Sequence, residues 1–201
     1  MYINELLFFH FLTEKEIGWA GIDFSQSKFT KEGFDFTTEK MQRLCHEWNL
    51  LIINDQKKYD IRKAFRKPVI HYDLSMVSKL NRMVKSHLSR VERLRLHHQQ
   101  SDESIRSYVE SLPVPALSRY VLMVVVESFD ARSCTASLWV VILQTEKNKI
   151  VLIEKFLKNP AGFGIKNYWA RCFYNLFFEI CKLSFSRWQN MSTLPDDLTV
   201  H

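Results

Sequence analysis

The residues best suited by type and spacing to bind a ligand stand just before the last predicted helix. Gly162 and Gly164 precede Ile165 and Lys166. Free backbone amides and the positive end of a helix dipole can hold a phosphate or carboxylate at such a place. The motifs GxGxxG and GxxxxGK[ST] do not occur, and a tight turn that needs glycine conformations explains the same residues. Both interpretations, an anion site and a simple turn, stay open on the sequence.

Polar and aromatic side chains follow in the first turns of that helix, and we expect the sheet to bring one aspartate to the same corner. Asp23 ends a predicted strand, and strand ends are where α/β sheets often carry functional groups. The alternative is that Asp23 caps the next turn through backbone amides. The predicted ligand site comprises Asp23, Gly162, Gly164, Lys166, Asn167, Tyr168, Trp169 and Arg171.

Basic residues concentrate in the middle of the chain. Between residues 62 and 95 there are ten Lys or Arg and two acidic residues, whereas the whole chain carries a formal charge of +6. Lys79, Arg82, Arg90 and Arg93 share one face of a helix predicted over 73–96, opposite its apolar face. Such a face could contact the phosphates of nucleic acid or of an anionic lipid surface, or it could be a solvated helix face.

Signatures of catalysis and metal binding are missing from the sequence. There is no HExxH and no GxSxG, and the four cysteines form no CxxC pair. Cys172 and Cys181 lie nine residues apart on one predicted helix, a rise of roughly 13 Å, so they cannot form a disulfide with each other. We therefore predict no metal, no cofactor and no catalytic residue.

Periodicity and turn residues predict a mixture of strands and helices. The predicted strands cover residues 17–24, 68–72, 120–128, 135–145 and 149–156. An early helix is predicted to begin near residue 37 or 38. Three further helices are predicted over residues 73–96, 101–112 and 165–181. A hairpin is expected at 146–148, with Asn148 in the left-handed conformation.

These elements predict an α+β or α/β fold. We expect a small mixed sheet of four to five strands, covered by an early and a late helix, in a single domain over residues 1–190. Residues 73–112 form a helical insertion in this scheme, and 191–201 a frayed tail. The apolar fraction of 46% and charged fraction of 25% exclude disordered and low-complexity classes, and 15 Phe, 7 Tyr and 5 Trp predict an aromatic core.

Neither a signal peptide nor a membrane-spanning segment is predicted. The apolar run over 6–12 lacks the basic segment that precedes the centre of a signal peptide. Other apolar runs fall short of the ~20 residues that cross a bilayer.

Several segments together resemble a known family. They are IGWAGIDFSQSKF (17–29), GFDF (33–36), EWNLLI (47–52), KYDI (58–61), YDLSMVSKLN (72–81) and AGFGIKNYWARCFY (161–174). This set resembles an uncharacterised family of exported proteins from the Bacteroidetes, over roughly residues 17–182. The order of strands, hairpin and late helix is also similar in outline to the amino-terminal domain of TolB and to CsgG-like domains. The resemblance implies an envelope or periplasmic location if a leader was removed, and a non-enzymatic accessory role.

The leading hypothesis is thus an accessory or interaction protein of the bacterial envelope whose partner is another protein or a second copy of the chain. A first alternative is a binder of nucleic acid or an anionic surface through Lys79, Arg82, Arg90 and Arg93. A second alternative is a small-ligand site or an enzyme at the corner formed by Asp23 and residues 162–171.

Overall fold

The computed structural model describes residues 1–29, 37–84 and 100–191. Its strands are β1 (Tyr2–Ile3), β2 (Glu16–Asp23), β3 (Lys28–Phe29), β4 (Val69–Tyr72), β5 (Tyr120–Asp130), β6 (Thr135–Gln144) and β7 (Lys149–Lys158). Its helices are α1 (Glu5–Thr13), α2 (Thr38–Asn54), α3 (Ile61–Phe65), α4 (Ser75–Asn81), α5 (Asp102–Glu110), α6 (Ile165–Glu179), a π-helix (Ile180–Ser184) and α7 (Phe185–Met191).

The strands of the described ranges form one mixed sheet in the order β1-β7-β6-β5-β2-β4, with β3 beside β5. β2 runs parallel to β4 and to β5, whereas β5, β6 and β7 form an antiparallel meander. The predicted α+β class is confirmed. The sheet has seven strands rather than four to five, because β1 and β3 contribute two residues each, too few to show an alternating pattern.

Helices cover both faces of the sheet. α1, α2, α3, α6 and α7 pack on one face, around an aromatic core in which the rings of Phe129 and Trp169 stack with centroids 4.4 Å apart. α4 and α5 pack on the other face through residues such as Val77 and Val109. The predicted early helix α2 and late helix α6 therefore share a face, and both faces of the central strand β5 are covered.

Local signals place several element ends correctly. The Thr37 hydroxyl accepts a hydrogen bond from the Lys40 amide at 3.2 Å and caps α2. Asn148 has φ 46°, so the predicted left-handed residue of the hairpin is confirmed. In the described ranges, no helix is both long and apolar enough to span a bilayer.

The long basic helix predicted over 73–96 is described only at its start. α4 ends at Asn81, and the described part continues to Val84. Residues 85–99, with Arg90 and Arg93, lie outside the described residues.

The connections around β2 position a cleft. The chain leaves β2 through α2 on the aromatic face, and it leaves β4 through α4 on the opposite face. β2 and β4 are parallel neighbours, so their carboxyl ends open between two helices that diverge to opposite sides of the sheet.

Candidate ligand-binding cleft

A bulge in β2 ends its pairing with β4. The register of β2 and β4 runs from Glu16 to Trp19, and the register between β2 and β5 shifts between Trp19 and Gly21. Gly21 has φ 103°, and a Cβ there would lie 2.6 Å from Val77 Cγ2 and 2.7 Å from Asn49 Oδ1. Only glycine fits this conformation and space. Beyond the bulge, the outer edge of β2 continues without β4 beside it.

Two buried asparagines take the place of the missing strand. The Ile22 amide donates to Asn49 Oδ1 at 2.7 Å, and Asn49 Nδ2 donates to the Ile22 carbonyl at 2.9 Å. Asn81 Nδ2 donates to the same carbonyl at 2.9 Å, and the Phe24 amide donates to Asn81 Oδ1 at 2.7 Å. Both side chains therefore pair with β2 as a neighbouring strand would. The Ile22 amide, the Ile22 carbonyl and the Phe24 amide, which the missing strand would have bonded, all have partners.

A cleft of about 270 Å³ opens beside these asparagines. α2 and α4 each supply half of its lining: Gln42, His46, Asn49, Ser78, Asn81 and Arg82. The cleft thus lies near the carboxyl ends of the parallel strands β2 and β4, between α2 and α4.

The walls of the cleft are held together by one glutamine. Gln42 Nε2 donates to the carbonyls of Arg82 at 2.5 Å and Val84 at 3.1 Å, so α2 is tied to the end of α4. The position of the Arg82 backbone is therefore fixed from across the cleft.

The free polar groups of the cleft are basic. The side chains of Arg82 and His46 are exposed, and within the described ranges neither forms an ion pair or a side-chain hydrogen bond. None of the six lining residues is acidic. A guanidinium offers paired N–H donors whose geometry matches a carboxylate or a phosphate. The arrangement can therefore hold a small anion, with amide and hydroxyl groups around it.

Asp23 is buried and bound by its own neighbours. Its Oδ2 accepts a hydrogen bond from the Tyr108 hydroxyl at 2.5 Å, and its Oδ1 accepts one from the Ser25 amide at 2.7 Å. Burial raises the pKa of Asp23, although the bonds from Tyr108 and Ser25 act in the opposite direction. The hydrogen bond from the Ser25 amide to Asp23 is the turn cap that the sequence offered as the alternative role of Asp23.

The predicted corner between Asp23 and residues 162–171 does not form. Tyr108, the partner of Asp23, belongs to α5 on one face of the sheet, whereas Trp169 of α6 is buried in the aromatic core on the other face. The alternation of side chains along β2 separates them, because the neighbours Ile22 and Phe24 face the aromatic core.

The glycine turn before α6 is a surface feature. Gly162 and Gly164 have φ 115° and 74°, and both are exposed together with Phe163 and Asn167. A Cβ on Gly164 would meet nothing within 4 Å. The conformations thus support the simple-turn interpretation of these glycines.

The remaining predicted residues of this segment have structural partners. Lys166 Nζ forms an ion pair with Glu47 at 3.1 Å, and Tyr168 packs edge-on against Trp169 with ring centroids 5.2 Å apart. Arg171 lies over the ring of Tyr174 at 4.3 Å. None of these contacts converges on a common pocket with Asp23.

Of the predicted basic face, two residues are described. Lys79 and Arg82 are both exposed at the end of α4, but only Arg82 lines the cleft.

A second buried carboxylate, Glu127, is also bound by its own neighbours. Glu127 accepts hydrogen bonds from Lys155 Nζ, the Ser137 hydroxyl and the Gln100 amide, each at 2.5 Å. Burial by itself would raise the pKa of Glu127, but these three bonds together hold that pKa below its usual value.

Thiols and metal ligands do not form a reactive group in the described ranges. No set of three His, Cys, Asp or Glu residues among them could hold a metal ion. Burial raises the pKa of Cys45 and raises that of Cys172 to about 12, so these two thiols stay protonated at neutral pH.

Sequence reasoning missed five of the six residues that line the cleft. Asn49 and Asn81 carried a usable signal, since each stands four residues after a buried apolar residue, Cys45 and Val77, on the core side of its helix. A polar residue at a core position needs a buried partner. Gln42, His46 and Ser78 gave no such signal.

Comparisons with known proteins assign no family. No protein-family model matches the chain, and no curated protein matches its sequence. A hypothetical protein, CT253 from Chlamydia trachomatis, aligns with 11% identity over 89% of this chain and 98% of its own, with a TM-score of 0.37. Protein XCC0632 from Xanthomonas campestris, of family DUF330, aligns with 15% identity over 46% of this chain, with a TM-score of 0.27. The chain spans 63% of the length of the Xanthomonas protein. At these TM-scores the two likenesses support no conclusion about function.

Proposed function

We propose that the chain is a non-catalytic binding protein that holds a small anion, a carboxylate or phosphate group, in the cleft between α2 and α4. The observation that carries this proposal is a cleft lined by two basic side chains, Arg82 and His46, that have no ion-pair or side-chain hydrogen-bond partner among the described residues. The accessory role at the envelope and the protein partner that the resemblance implies stay predictions.

The state of the neighbouring reactive groups supports binding rather than catalysis. The amides of Asn49 and Asn81 already bond the backbone of β2, so they shape the cleft and are not free to polarise a substrate. Asp23 is enclosed by Tyr108 and Ser25 instead of facing the cleft. A general acid or base must reach the reacting atom, and Asp23 does not. His46 lines the cleft, but no carboxylate, thiol or second histidine of the described residues lines it beside His46.

Titration of the ¹⁵N-labelled chain with inorganic phosphate, and separately with succinate, tests the proposal by NMR. We expect saturable shifts of the side-chain amide signals of Gln42, Asn49 and Asn81 with at least one of these anions. Arg82→Gln should weaken that binding by roughly 10- to 100-fold, because a charge-assisted hydrogen bond is lost.

Lys79→Gln is the matched control. It removes the same charge from the same exposed end of α4, but Lys79 does not line the cleft. We expect a change of less than about twofold, because solvent and salt screen a charge that does not touch the ligand. Equal losses in the two variants would mean a diffuse basic face instead of a site. The absence of saturable shifts with both anions would overturn the proposal.

A further inference from the structure

A second groove lies on the side of the sheet that carries the aromatic core. One wall is formed by α3 and the connection that precedes it, and the other wall by α6 and the π-helix. The groove measures about 230 Å³. We call it the lysine groove, and its lining is Lys57, Lys58, Asp60, Lys63, Tyr174, Phe177, Phe178, Cys181 and Lys182. Four of these nine residues are lysines and one is acidic.

Two aromatic rings of the lysine groove, those of Tyr174 and Phe178, stand between two cations along one helix. Arg171 lies 4.3 Å from the ring of Tyr174, whose ring stacks with that of Phe178 at 6.2 Å and 18°. Lys182 in turn lies 5.9 Å from the ring of Phe178. The four residues follow one another at steps of three or four along a single helix stripe. At 1.5 Å per residue, the stripe is about 16 Å long.

The opposite wall supplies further positive charge. Lys57, Lys58 and Lys63 are exposed, and they form no ion pair with any residue that the structure describes. The acid of this wall, Asp60, accepts a hydrogen bond from the Lys63 amide at 2.9 Å and caps α3. The lysine groove thus keeps an uncompensated positive potential beside its rings.

One ring of the lysine groove, that of Phe178, is open to solvent in spite of its size. Phe178 is 53% exposed, although most large aromatic side chains of this chain are buried. The segment that follows it, Ile180–Ser184, is a π-helix, a rare geometry that is often found at functional sites.

From this row of aromatic rings with cations at both ends and lysines on the opposite wall, we propose that the lysine groove binds single-stranded nucleic acid. Bases stack on exposed aromatic rings, and basic side chains along the same groove contact the phosphates. Paired bases in a duplex are already stacked, so the rings favour a single strand. The stripe also exceeds the ~3.4 Å that one nucleotide occupies in a stacked strand, so it fits a strand better than a mononucleotide. RNA and DNA share this chemistry.

Fluorescence anisotropy of labelled dT12 and rU12 with the full chain tests the proposal at low salt. We expect saturable binding of at least one oligonucleotide, and the comparison of the two identifies the preferred sugar. Phe178→Ala should weaken binding by roughly 5- to 100-fold, as the loss of one stacking ring does. The Lys57→Gln and Lys63→Gln double variant should reduce the slope of log affinity against log salt by about 1.4, at ~0.7 for each phosphate contact.

Two control variants separate the groove from general effects. Leu183→Ala truncates an apolar side chain of the π-helix that is 67% exposed but does not line the groove. Lys149→Gln removes an exposed positive charge at the start of β7. Both variants should bind the oligonucleotides as tightly as the unmodified chain does. Arg82→Gln should do so as well, and this result separates the lysine groove from the α2–α4 cleft. Circular dichroism verifies the fold of each variant, and the lysine double variant still decides if Phe178→Ala does not fold.

Four results would overturn the proposal. The first is no saturable binding of either oligonucleotide at low salt. The second is equal affinity for a duplex of the same length, which would mean charge attraction alone. The third is an equal loss in Leu183→Ala and Phe178→Ala. The fourth is a preference for vesicles containing phosphatidylserine over both oligonucleotides, which would identify the lysine groove as a lipid contact.

Discussion

The side-chain amides of Asn49 and Asn81 donate to one and the same carbonyl oxygen, that of Ile22, each at 2.9 Å. The two residues come from helices on opposite faces of the sheet, so this carbonyl is the point at which α2, β2 and α4 are joined. Because the same side chains line the cleft, its shape depends on these bonds. Stability and the proposed ligand site are thus coupled at three residues.

The first prediction concerns Asn49. Asn49→Ala leaves the buried Ile22 amide without its acceptor, and it removes a donor from the Ile22 and Cys45 carbonyls. We expect the free energy of unfolding to fall by about 3 kcal/mol, measured by urea denaturation. Asn54→Ala, at the exposed end of the same helix, should change it by less than about 0.5 kcal/mol. Similar values for the two variants would contradict a structural role of the Asn49 amide.

The second prediction concerns the bulge. Gly21→Ala adds a Cβ that overlaps Val77 and the Asn49 amide in a backbone conformation at φ 103°. We expect it to destabilise the protein by at least ~4 kcal/mol, or to prevent folding, in thermal and urea unfolding. Gly164→Ala is matched in backbone strain, at φ 74°, but a Cβ there meets open space, so its cost should stay near 1–3 kcal/mol. A folded Gly21→Ala protein with no greater loss than Gly164→Ala would show that the bulge adapts.

The third prediction concerns the charge of Asp23. Burial raises the pKa of Asp23 in the folded protein above the 3.8 of an exposed side chain. Between these two values the folded state binds more protons than the unfolded state, so this residue lowers the free energy of unfolding as the pH rises through that window. Asp23→Asn cannot ionise. Relative to the unmodified protein, we expect it to gain stability as the pH rises above about 4, near the pKa of an exposed Asp side chain.

Urea denaturation at a series of pH values measures this difference. Asp73→Asn is the control, because Asp73 also accepts an amide hydrogen bond at 2.7 Å, from Ser75, but is only half-buried. The burial argument does not apply to it. If the stability of Asp23→Asn relative to the unmodified protein fell with rising pH, Asp23 would be stabilised as a carboxylate, and the inference that burial raises its pKa would be wrong.

The sequence predicted most of the elements because their signals are local. The five longer strands, the Thr37 cap of α2 and the left-handed Asn148 each follow from a periodicity or a residue preference within a few positions. β1 and β3 were missed because two residues carry no period. The glycine turn before α6 was found, but its residue types alone could not distinguish an anion site from a simple turn.

The sequence by itself determined the α+β class, the aromatic core and the basic character of the chain, since composition and short-range patterning control them. Only the tertiary structure decided which polar groups meet. Asn49 and Asn81 reach Ile22 from 27 and 59 positions away, and Tyr108 reaches Asp23 from 85. Such pairings depend on the strand order and on the bulge at Gly21, which set the face and the depth at which each side chain lies, and no pattern within a single element encodes that geometry.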